Sequence, residues 1–197
     1  FRNFYLSREM KSPIYHALSR PEEAEEEAVN RMITLASLAG NAPLYIVHDS
    51  TAKAAKLIEN AKKNKRNVFG ETCPQYLFLD ETLYNKPDNE GLKYIMSPPL
   101  RKKFNQDILW KYIENGTLDV VATDHCPFNF NKEKQYGIGD FSKCPNGAPG
   151  IETRLPLLFS EGVMKKRISI NKFVDITSTK PAKIFGLYPK KGDIKIG

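Results

Sequence analysis

Short, nearly continuous apolar runs that end in polar residues constrain this chain more than any other feature. Pro43-Leu44-Tyr45-Ile46-Val47 runs into His48-Asp49-Ser50, and Leu118-Asp119-Val120-Val121-Ala122 runs into Thr123-Asp124-His125-Cys126. A third run, Asn67-Val68-Phe69-Gly70-Glu71-Thr72, ends at Cys73-Pro74. A strand buried on both faces reads this way, because neither face needs polar residues.

Helical signals alternate with these runs. After Pro21, residues 22–39 begin with acids suited to the positive end of a helix dipole and place Ala28, Met32, Leu35 and Ala39 at helical spacing. Ser50 or Thr51 caps a second helix to about Lys63, with Ala54, Ala55, Ile58 and Ala61 as its apolar side. A third helix covers about Asn105 to Glu114, after the rigid Ser97-Pro98-Pro99. Strand-helix-strand order predicts an α/β fold with parallel pairing and right-handed crossovers. Parallel barrels keep their chemistry at the carboxyl ends of the strands, so His48 and Asp124 are candidate metal ligands, Asp124 also a proton carrier. The alternative is that both are ordinary turn and cap residues.

Other features narrow the class of protein. At 197 residues the chain can bury a sizeable core. The net charge of +7 lies on Lys-rich stretches such as 62–66 and 190–191, with no aromatics between them to stack on bases. They read as solvated surface, and no nucleic-acid partner is expected. Cys73, Cys126 and Cys144 are an odd, widely spaced set that forms neither a disulfide framework nor a CxxC knuckle, so a reducing cytoplasm is expected. No stretch approaches the roughly 20 apolar residues needed to span a bilayer, and no leader opens the chain, so no membrane partner is expected. Three crossover strands are too few to close a barrel. A piece of a longer polypeptide is expected, or else an open sheet.

The chain resembles the cyclic amidohydrolases typified by dihydropyrimidinase and the bacterial hydantoinases. The resemblance rests on ordered words: 15–22 (YHALSRPE), 44–48 (LYIVH), 70–77 (GETCPQYL), 97–101 (SPPLR), 122–126 (ATDHC), 145–152 (PNGAPGIE) and 177–187 (TSTKPAKIFGL). It implies part of a TIM (β/α)8 barrel lacking its N-terminal strands. Residues 1–188 would be the C-terminal portion of the catalytic barrel, and residues 189–197 the beginning of a β-sandwich segment. It further implies two divalent metals, usually zinc, bridged by a carboxylated lysine and a hydroxide. His48 matches the sixth-strand histidine ligand and Asp124 the eighth-strand aspartate. The other ligands, the modified lysine included, lie outside this chain. The backbone groups of Ser97 and Asn146 match those that bind substrate. A small cyclic amide substrate and a homo-oligomer, tetramer or dimer, are implied as partners.

The chemistry has a physical logic. A cyclic amide is a poor electrophile, and a metal that polarises its carbonyl and activates water overcomes this. Imidazole and carboxylate are ligands that zinc accepts, and a carboxylate can also carry the proton from water to the leaving ring nitrogen. A cyclic ureide presents alternating N–H and C=O groups, which rigid main chain around Ser97 and Asn146 can pair without loss of side-chain entropy. Both residues are also strong turn formers.

Several polar residues read otherwise. His16 is expected to be structural, Cys73 and Cys126 buried small thiols, and Glu22–Glu27 a helix start with an outer face. His125 has no assigned role. Gln75 favours dihydropyrimidinase or hydantoinase over allantoinase and dihydroorotase, which more often have histidine there. A non-catalytic scaffold relative that has lost metal ligands remains the alternative from another class.

Overall fold

The computed structural model describes residues 1–196. Three strands form one parallel sheet in the order β1 (Leu44–Ile46), β2 (Val68–Thr72) and β3 (Val120–Val121). The register pairs Leu44 with Val68 and Ile46 with Gly70, then Glu71 with Val120 and Thr72 with Val121. All three expected runs are therefore strands, shorter than their apolar stretches at one or both ends.

Helix α1 (Glu22–Leu38) precedes β1, α2 (Ala52–Lys63) crosses from β1 to β2, and α3 (Phe104–Glu114) leads into β3. Thr51 caps α2, its Oγ1 accepting from the Ala54 N–H at 3.1 Å. The buried face of α2 is Ala54, Ala55, Ile58 and Ala61. Three of the four are alanines, and Ile58 reaches Gly70 of β2. At Gly70 an added Cβ would meet Leu118 Cδ2 at 3.0 Å and Ile58 Cδ1 at 3.1 Å, so the missing side chain is part of that fit. Lys62 donates to the Gly116 and Thr117 carbonyls and pairs with buried Asp119, which also accepts from the Gly70 N–H. The amino end of β3 is thereby tied to both α2 and β2.

The expected apolar face of α1 is corrected by the structure. Val29 is its buried residue, whereas Met32 and Leu35 are 45% and 51% exposed. The helix carries two apolar stripes, and α2 covers the one through Val29 and Ile33. The other stripe, with Ala28 and Met32, borders an apolar groove along the outer edge of β1, which has no strand partner among the described residues.

After β3 the chain runs through short 3-10 turns over 133–143 and helical stretches over 154–164 and 170–184, the latter two containing π-helical turns. Residues 189–196, expected to begin a β-rich segment, carry turns and irregular chain with no strand, and Gly197 lies outside the described residues. Among the described residues no helix is long and apolar enough to cross a membrane.

Candidate active site

The carboxyl ends of β1, β2 and β3 open on one side of the sheet, because parallel strands share a direction. His48 follows β1 and Asp124 follows β3, and both have left-handed backbone, with φ of 43° and 47°. His and Asp tolerate this region better than most side chains. The two residues stand on either side of β2, whose spacing to each neighbour is about 4.8 Å. His48 is half-buried and Asp124 exposed.

A layer of buried polar groups supports the His48 end. The His48 N–H donates to Glu71 Oε1 at 3.3 Å, and Tyr45 donates its hydroxyl to Glu71 Oε2 at 2.7 Å. Burial and that carboxylate push the Tyr45 phenol well above its ordinary value, so it remains a donor. The Asp49 N–H donates to the Glu71 carbonyl at 2.7 Å, and the Asp49 carbonyl accepts from Thr72 Oγ1 at 2.7 Å. Behind this loop, buried Arg101 donates to Glu25 Oε2 and to Ser50 Oγ, each at 2.9 Å, and to the Arg20 carbonyl. Ser50 in turn donates from its N–H and hydroxyl to Glu25. Asp49 is fully buried, and desolvation, then the charge of Glu25, raise its pKa well above the ordinary carboxylate range. Asp49 Oδ2 is buried and has no hydrogen-bond partner among the described residues.

Ser97 and Asn146 come together from distant parts of the chain. Ser97 Oγ donates to Asn146 Oδ1 at 3.2 Å, and the Gly147 N–H donates to the Ile95 carbonyl at 3.1 Å. Both residues are exposed, and among the described residues neither engages its own backbone N–H or C=O. Ser97 also shares an open cavity of about 320 Å³ with His48, Glu25 and Arg101. The Asn146 loop meets the Asp124 loop on its far side, where the Cys126 N–H donates to the Ala148 carbonyl at 3.1 Å and His125 Nδ1 accepts from the Gly150 N–H at 3.1 Å. The structure thus links the Ser97, Asn146 and Asp124 loops by hydrogen bonds, and brings His48 to Ser97 across the cavity. Among the described residues no hydrogen bond or ion pair joins His48 to Asp124. Among the described residues no group of three or more His, Cys, Asp and Glu side chains could hold a metal ion.

Some expectations are corrected. Cys73 is buried and its thiol is pushed well up by desolvation, but Cys126 is exposed. Glu25, within the acid run read as an outer face, turns inward to Arg101 and Ser50. Glu71 was detectable by the signal that marks Asp124, a carboxylate at the end of an apolar run. Buried Lys134, in Lys132-Glu133-Lys134-Gln135, carries no such signal.

His16 is buried, with Nε2–H donating to the Met96 carbonyl at 2.6 Å and Nδ1 accepting from Arg20 at 3.1 Å. Burial first, then the Arg20 charge, lower its pKa to about 3. A base depressed in the folded state lets the unfolded chain take the proton first. Its stability contribution is therefore complete above about pH 6.5 and is lost as the pH falls toward about 3, by up to about 1.4 kcal/mol per unit. Urea midpoints from pH 7 to 4 are expected to fall more steeply for the wild type than for His16→Gln; parallel curves would remove His16 from the acid response.

No family model matches the chain. It is 54% identical to the D-hydantoinase of Geobacillus stearothermophilus over 185 residues, covering 94% of this chain and 39% of that protein. It is 53% identical to a D-phenylhydantoinase of Escherichia coli O1:K1 / APEC over 193 residues, 98% of this chain and 41% of that protein. The crystal structure of the dihydropyrimidinase of Brevibacillus agri NCHU1002 superposes with a TM-score of 0.98 at 56% identity, over all of this chain and 42% of that one. The chain thus spans about two-fifths of the length of the relatives it matches.

Proposed function

We propose, from the premise that this chain belongs to the cyclic amidohydrolase family of the D-hydantoinases and dihydropyrimidinases, that it forms part of a metal-dependent TIM-barrel enzyme opening cyclic ureides or imides. The substrates are 5,6-dihydropyrimidines and hydantoins, and the active unit is a longer protein that completes the barrel, assembled as a homo-oligomer. In that protein, residues 189–197 begin a second, β-rich unit. The observation that carries the reading is the meeting of the Ser97, Asn146 and Asp124 loops beside His48 at the carboxyl ends of one parallel sheet.

His48 and Asp124 fit a metal as an imidazole and a carboxylate, the donors a divalent ion such as zinc accepts. They are an incomplete set, and the further ligands come from the rest of the barrel. When bound, the metal pair polarises the ring carbonyl and makes water acidic enough to attack near neutral pH. Asp124 takes the proton from the attacking water as the C–O bond forms. It delivers that proton to the ring nitrogen as the C–N bond breaks, leaving a neutral nitrogen and an open-chain carboxylic acid, which releases its remaining proton to solvent to become the carboxylate. Asp124 is exposed at the carboxyl end of β3, where a carboxylate can exchange protons. Ser97 and Asn146 offer unengaged backbone donors and acceptors, which match the alternating groups of a ureide.

The test is hydrolysis of 5,6-dihydrouracil and hydantoin by the complete protein with zinc supplied. Turnover of either ring supports the reading. Binding of metal without turnover of any cyclic amide would replace it by the non-catalytic scaffold.

A further inference from the structure

The most unusual buried group in the chain is the ammonium of Lys134. The residue is 2% exposed, and no carboxylate pairs with it among the described residues. Burying an unpaired ammonium costs several kcal/mol unless every N–H finds an acceptor. Nζ has three N–H groups and three acceptors, all backbone carbonyls: Ile95 at 2.6 Å, Pro145 at 2.8 Å and Gly147 at 3.0 Å.

Those three carbonyls have a particular place in the chain. Pro145 and Gly147 flank Asn146, and Ile95 lies two residues before Ser97. One nitrogen atom therefore fixes the separation of the two loops. The Pro145 carbonyl, moreover, shares its peptide group with the Asn146 N–H, the donor left free at the surface. A cation on the carbonyl end of a peptide strengthens the N–H at its other end as a donor. Ser97 is arranged in the same way, because the Met96 carbonyl of its peptide accepts from His16. Each free N–H is thus backed by a buried side-chain donor.

We infer that Lys134 is a positioning residue for substrate recognition: by holding the Ile95, Pro145 and Gly147 carbonyls around one ammonium, it sets the spacing and donor strength of the Ser97 and Asn146 backbone groups that pair with the ring. The inference rests on the reading of those groups as the ureide-binding edge. Lys134 lies beneath the two loops, and its three bonds to their carbonyls offset the cost of burying its charge. A hydrophobic residue of similar length would fill the same space and impose no such spacing.

The experiment uses the complete protein with zinc and 5,6-dihydrouracil, comparing wild type, Lys134→Met and Lys134→Arg. Lys134→Met keeps the stem and removes the donors, and KM is expected to rise at least tenfold with kcat within about threefold and metal content unchanged, the pattern of lost ground-state and transition-state binding. Should that variant fail to fold, Lys134→Arg decides. It keeps a buried cation, but its planar fork cannot reproduce three bonds converging on one nitrogen, so KM is again expected to rise while melting temperature and metal content hold. A folded variant of either kind with wild-type KM overturns the inference. A wild type that opens no cyclic amide overturns the functional reading instead, and the two failures are distinct.

Discussion

Asp124→Asn in the complete protein is expected to lower opening of dihydrouracil and hydantoin by at least about a hundredfold, the lower end of general acid–base contributions. Asparagine keeps an oxygen donor of nearly the same shape and tolerates the left-handed backbone at φ 47°, so neither folding nor all metal binding is lost. With metal in excess, a substantial part should remain bound. His48→Ala is expected to abolish turnover by another route, losing metal at one of two positions because an imidazole donor is gone. Metal analysis beside the hydrolysis assay separates the two. Near-normal turnover by Asp124→Asn would end its assignment as proton carrier.

The largest stability effect is expected at Arg101. Its guanidinium is the buried counter-charge of Glu25, and it also holds Ser50 and the Arg20 carbonyl. Arg101→Met leaves the largely buried Glu25 carboxylate, 12% exposed, without its cation, a change that costs up to about 3–5 kcal/mol. For a chain of this size that corresponds to a melting temperature lower by about 6–20 °C. Glu25→Gln in the Arg101→Met background removes the stranded charge and should recover part of the loss. A single Arg101→Met variant as stable as wild type would show that water reaches Glu25.

Asp49 answers in the opposite direction. Its folded pKa lies above its unfolded one, so the folded chain keeps the proton longer as pH rises. Its stabilising contribution is complete below the ordinary aspartate range near about 4 and is lost as pH climbs through the raised folded value. Asp49→Asn, which mimics the protonated acid, should therefore gain on wild type as pH increases above about 4.

What was legible in the sequence was local. The apolar runs of β1, β2 and β3, the Thr51 cap and the small-residue face of α2 are written in neighbouring residues, and the structure agrees with them. The inward face of α1 was not, because its two apolar stripes have the same period and only the position of α2 decides between them. Glu25 looked like one more exposed acid because its partner Arg101 is 76 residues away. Lys134 lies in a stretch of short turns without periodicity, and its acceptors are carbonyls, which every residue has. Exposure of Cys126 follows from a loop course that no local pattern specifies.

The left-handed backbone at His48 and Asp124 narrows the substitutions open to either position in evolution. Two independent filters act there: the chemistry admits ligands and proton carriers, and the backbone disfavours β-branched and bulky side chains. Few residue types pass both. Glycine and asparagine are the replacements this backbone accepts most readily, and either would remove the imidazole proposed as ligand at His48 or the proton carrier proposed at Asp124. The same asymmetry guides experiment, because His48→Gly deletes the imidazole without the backbone penalty of about 1–2 kcal/mol that His48→Ala carries.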